Sequence, residues 1–125
     1  MTQKPVARTQ QPVPKVSESD VARIVARDFS ASQSSAHEIL AQYGTEQWER
    51  EVPRVRLAAL KLAAGNLEEL RRHVAVAKAD YRDVLAAAEY PQYFRHSFRS
   101  TKPEPETESA LISADWEQYK AWFSR

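Results

Sequence analysis

Val52-Pro53-Arg54-Val55-Arg56-Leu57-Ala58-Ala59-Leu60-Lys61-Leu62-Ala63-Ala64-Gly65 is the stretch on which the fold turns. At helical pitch Val52, Val55, Ala59 and Leu62 fall on one side, with Trp48 one turn earlier, while Leu57, Leu60 and Ala64 fall on another. A helix apolar on two sides leaves little surface for water and belongs in the middle of a bundle. Thr45 is placed to cap an early start. Pro53 then either kinks the helix or marks a new start after a short turn over 46–51, and Gly65 ends it.

On the C-terminal side, Asn66-Leu67-Glu68-Glu69 has the form of a capping box, with Asn at the cap and Glu at the third helical position. Leu67, Leu70, Val74, Ala77, Tyr81, Val84, Leu85 and Ala88 continue as one stripe to about Tyr90, where Pro91 stops it. Read as one helix, this segment is about 36 Å long. On the N-terminal side, Ser17 and Asp20 form a second capping signature, with Val16 and Val21 spaced as a hydrophobic staple. Val21, Ile24, Val25 and Phe29 make that helix's apolar face. Another helix begins near Ser32, with Ala36, Ile39, Leu40 and Tyr43 on one face and Gly44 as its stop.

These signals predict an all-α fold: four main helices over about 17–90, within a bundle domain of residues 17–98. Residues 1–16 read as a disordered, basic, proline-containing tail. Residues 99–109, with Lys102-Pro103-Glu104-Pro105-Glu106, read as an extended Pro/Glu linker. Residues 110–125 read as a short amphipathic C-terminal helix starting near Ser113, with Ile112, Trp116, Tyr119 and Phe123 on its apolar side.

Composition agrees with that architecture. The chain has 125 residues, room for one domain. It has 2 glycines, too few for a fold built on many tight turns. With 0 cysteines it has no disulfide, thiol nucleophile or thiolate metal site. No apolar run is long enough for a membrane span or a signal peptide, which points to the cytoplasm. The formal net charge of +1 supplies no overall field for nucleic acid or anionic lipid.

The run from Tyr43 to Pro91 resembles a group of small uncharacterised bacterial all-helical proteins. Its most distinctive part is Asp80-Tyr81-Arg82-Asp83-Val84-Leu85. The resemblance implies a bacterial origin and an all-helical fold, and no mechanism.

No chemical motif stands out. Gly-rich phosphate loops and nucleophile elbows are absent, and His37, His73 and His96 lack the spacing of a metal site. No catalytic residue, metal or cofactor is assigned. Asp80 and Asp83 lie three apart with no cation three or four residues away. They are expected to meet Arg54 or Arg56 on the neighbouring helix, and those four residues form a candidate polar site. Residues 30–47 contain no Lys or Arg, which weighs against a helix that reads DNA. The aromatics and cations from Tyr93 to Arg99 keep a nucleic-acid-associated regulator as the alternative, and a small enzyme comes third.

The most suggestive feature is Trp116, Tyr119, Trp122 and Phe123 within eight positions. Such rings either dock on the protein's own bundle or insert into a partner's groove. The leading expectation is therefore a non-catalytic protein–protein interaction or regulatory protein, with these four residues as partner-binding candidates. Homo-oligomerisation is left open.

Overall fold

The computed structural model describes residues 11–97 and 104–125. Among them the chain is all α: seven helices and no strand. They are α1 (Glu18–Asp28), α2 (Gln33–Leu40), α3 (Val52–Ala63), α4 (Leu67–Ala79), α5 (Tyr81–Glu89), α6 (Pro91–Ser97) and α7 (Pro105–Ser124).

α3 is the hub, packed against α1, α4 and α5. Val55, Leu57, Ala58, Ala59, Leu60 and Ala63 are all buried, so its two apolar sides both face protein. Pro53 sits in the first turn of α3, where its missing N–H leaves nothing unsatisfied. The turn over 46–51 therefore precedes a new helix, and Trp48 projects into solvent at 66% exposure rather than lying on the core face of α3.

α1 opens with the reciprocal box: the Asp20 amide donates to Ser17 Oγ and the Ser17 amide donates to the Asp20 carboxylate, at 3.2 and 2.9 Å. Val16 packs on the core as the staple requires. The Asn66 side chain caps α4 by accepting from the Glu69 amide at 3.0 Å. Gly44 takes φ +106°, and a Cβ there would meet Val52 Cγ1 at 2.9 Å, so a glycine is required twice over.

Three expectations need correction. The long helix over 66–90 is two helices. Asp80 is extended, with φ −157° and ψ 101°, and its carboxylate caps α5 by accepting from the Arg82 amide at 3.1 Å. One extended residue breaks the helix while Tyr81, Val84 and Leu85 still reach the same core. Tyr81, read as a core residue, is only half-buried at the start of α5.

The C-terminal helix is also longer than expected. Residues 105–109 of the anticipated linker are helical, and α7 runs for 20 residues. Pro105 supplies a preset φ at the first helical position, and Glu106 and Glu108 suit the positive end of the helix dipole. Residues 99–103 of that linker lie outside the described residues.

The N-terminal segment is extended where it is described, as its prolines lead one to expect. Over 11–16 Pro14 is buried, and the Tyr90 hydroxyl donates to the Pro12 carbonyl at 2.5 Å. Prolines with fixed φ lose little entropy when such a segment is pinned. Residues 1–10 of the tail lie outside the described residues. No described helix is long and apolar enough to cross a membrane.

Candidate functional site

The aromatic positions of α7 divide by helical phase. Tyr119 and Trp122 turn into the core, whereas Trp116 and Phe123 are half-buried at its edge. Spacings of three and four residues bring the rings together. Trp116 lies parallel to Tyr119 (6.0 Å between centroids, 2° between planes), and Tyr119 nearly parallel to Phe123 (6.4 Å, 10°).

α1 holds the end of α7 in place. The Arg23 guanidinium sits 4.6 Å over the Phe123 ring and donates to the Phe123 carbonyl at 2.8 Å. Arg27 sits 5.1 Å over Trp122 and donates to the Trp122 and Arg125 carbonyls at 2.7 and 3.2 Å. Two cations from another helix thus bind carbonyls at the negative end of the α7 dipole.

Against this ladder of rings lies the extended segment of Pro14, Lys15 and Val16. The two banks enclose a half-open hollow of about 300 Å³, completed by Lys120 and Ser124. Its walls are mainly hydrocarbon and ring. Lys15 is exposed, and Lys120, 5.9 Å over Trp116, pairs with Glu117 at 2.9 Å. Comparison with family models, curated proteins and solved structures found no match for this chain.

The candidate polar quartet does not assemble. Asp80 pairs with Arg82, two residues on, through two 3.0 Å contacts, which hold its carboxyl below the usual carboxylate range. Asp83 is exposed in the first turn of α5, where the helix dipole favours a carboxylate without a cationic partner. Arg54 instead grips Glu89 through two hydrogen bonds of 2.8 and 2.6 Å. Arg56 donates to the Tyr43 carbonyl at 2.8 Å and lies 3.7 Å from Glu18.

Three buried carboxylates were missed in the sequence: Glu89, Glu49 and Asp115, the last of which accepts from the Gln92 and Tyr93 amides. Glu89 follows Leu85 by four residues, so the apolar stripe itself carried the signal. Glu49 lies in an irregular turn and had no periodic signal. Its Oε1 accepts from the Gly44, Thr45 and Glu46 amides at 3.0–3.1 Å, and Oε2 from Lys78 at 2.8 Å. Burial pushes its pKa up, but the Lys78 ammonium and these amides outweigh burial and bring it to about 2. A second hollow of about 300 Å³ lies between Trp48, Lys78, Tyr81 and Arg82. Its two cations are already paired, with Glu49 and Asp80.

The histidines are dispersed. His37 is exposed, His96 lies on α6, and His73 is half-buried with Nε2 3.6 Å from Glu69. Burial and Arg72 lower the His73 pKa. No group of three or more ligating side chains that could hold a metal occurs among the described residues. The hollow beside α7 contains no acid–base pair. It offers apolar contact area with cations at the edge, a composition suited to gripping a side chain.

Proposed function

We propose that this protein is a non-catalytic interaction module of the bacterial cytoplasm. Its partner is another protein, which inserts a short segment between α7 and residues 14–16. The segment carries an apolar or aromatic side chain flanked by Asp or Glu. The observation that carries the reading is the set of parallel rings of Trp116, Tyr119 and Phe123 forming one wall of a hollow edged by Lys15 and Lys120. Aromatic anchors supply most of the energy at protein interfaces, while charges at the edge set orientation and rate of encounter.

The hollow holds one or two side chains. Burying each contributes about 1.5–3 kcal/mol, partly offset by the cost of ordering the peptide. Two such side chains sum to at most about 6 kcal/mol, so the affinity lies in the millimolar to high-micromolar range, roughly −4 to −5 kcal/mol.

Panning a random peptide display library against the immobilised protein tests the proposal. Enriched sequences should share an apolar anchor with neighbouring acidic residues, and should bind at least about tenfold more weakly to Trp116→Ala. Enrichment without a shared pattern, or equal binding to Trp116→Ala, would refute the reading.

A further inference from the structure

The other side of the last two turns of α7 faces a different cavity. Positions 118, 122 and 125 lie across the helix from 116, 120 and 123. They form one wall of a cleft of about 650 Å³, closed by Arg27, Asp28 and Lys61 and floored by Ala64 and Gly65. Its volume lies within the range of small-molecule sites, roughly 300–1,000 Å³.

Three cations and one carboxylate line it. Arg27 is engaged through all three nitrogens: Nε and Nη2 donate to Asp28 at 2.8 and 3.2 Å, and Nη1 donates to the Trp122 and Arg125 carbonyls. That pair is neutral. The side chains of Lys61 and Arg125 make no hydrogen bond or ion pair among the described residues. The carboxylate that acts on Lys61 is Asp115, which is 0% exposed and already accepts from the Gln92 and Tyr93 amides at 3.2 and 2.9 Å.

The side chains of Lys61 and Arg125 therefore share one concave surface, and among the described residues no carboxylate pairs with either, Asp28 being taken by Arg27. Lys61 stands near the C-terminus of α3, where a cation offsets that helix's dipole. That explains one cation at this place but not two converging on a cavity. We propose that the cleft binds a small organic phosphate, a phosphate-monoester dianion, with Lys61 and Arg125 as its charge partners. The organic part rests on Ala64 and the edge of Trp122.

Burial pushes the Lys61 ammonium below the usual lysine range, and Arg125 pushes it the same way against the pull of Asp115. A dianion seated between the two cations reverses that balance. The cleft and the hollow use opposite sides of α7, so this inference stands without the peptide-binding reading.

Isothermal titration of the full chain with glycerol 3-phosphate, inorganic phosphate and succinate tests it. Glycerol 3-phosphate should bind more tightly than inorganic phosphate, which lacks the organic part, and than succinate, whose carboxylates are planar. Lys61→Met keeps the half-buried stem without its charge and should weaken binding about tenfold or more, with Lys61→Arg restoring most of it. Arg125→Gln should weaken it, and Trp116→Ala should leave it unchanged. Thermal melts of each variant confirm that it is folded. Absence of heat at millimolar glycerol 3-phosphate, or binding unaffected by Lys61→Met in a folded variant, overturns the proposal. Equal affinity for succinate overturns the phosphate assignment.

Discussion

Helices α3 and α7 both carry large apolar side chains into the interior, yet they are held there in different ways. α3 is wrapped by α1, α4 and α5, and hydrocarbon covers two of its sides. Its polar side chains Arg54 and Arg56 are tied down near its start, to Glu89 and to the Tyr43 carbonyl. α7 packs on α6 and α5, buries Ile112, Asp115, Tyr119 and Trp122, and exposes a polar residue in nearly every turn. Cations reaching over from α1 hold its end. One helix is enclosed; the other is docked. A docked helix leaves hollows along both of its flanks, and the candidate sites lie there.

The strongest way to break this comparison is to make equivalent holes in the two helices. Leu60 is fully buried in α3, and Leu60→Ala should cost about 4 kcal/mol, toward the upper end for such truncations. Urea denaturation should show one cooperative transition, shifted as a whole. Trp122→Ala should cost less, about 3 kcal/mol, because Trp122 sits at the edge of a cleft. Amide exchange should then accelerate in α7 well before α3. Equal acceleration in both helices would show that α7 belongs to the same cooperative unit as the core.

A smaller effect separates the hydrocarbon core from the polar turn that feeds α3. The Glu49 carboxyl is lowered to about 2 in the folded chain from an ordinary 4.5. Its stabilising contribution is therefore complete above the ordinary value and disappears as pH falls from about 5 through about 2. Glu49→Gln should be less stable than the parent at pH 7 and should lose less on acidification to pH 3, as read by urea midpoints at both pH values. An unchanged acid slope would mean that the turn's hydrogen bonds do not depend on the Glu49 charge.

The legibility of the sequence follows the same division. Where burial is periodic, the reading succeeds: the faces of α1, α2 and α3 and the caps at Ser17 and Asn66 are found where the pattern puts them, although α2 already ends at Leu40 and Gly44 closes the turn that follows. It failed where one residue changes the backbone without changing the period. Asp80 breaks a helix, yet the stripe from Ala77 to Val84 stays in phase across the break. Trp48 precedes Val52 by four residues, but no helix connects them. Pro105 looked like a linker residue and is a helix start.

Ion pairs were the least legible, because spacing within a helix says nothing about the neighbour it meets. Arg54 chose Glu89 over Asp80 or Asp83, since Glu89 lies on the buried stripe and they do not. The two cavities beside α7 were invisible for the same reason. They depend on how a helix docks, and only its own apolar side can be read from its residues.

The three tryptophans give the molecule optical probes at three depths. Trp48 stands in water, Trp116 is half covered beside one hollow, and Trp122 is buried at the edge of the other. Acrylamide reaches the first indole freely and the last hardly at all. A peptide settling between α7 and residues 14–16 shields Trp116, while release of α7 carries Trp116 and Trp122 into solvent together. Emission wavelength and quenching therefore distinguish an occupied groove from an undocked helix without any attached dye.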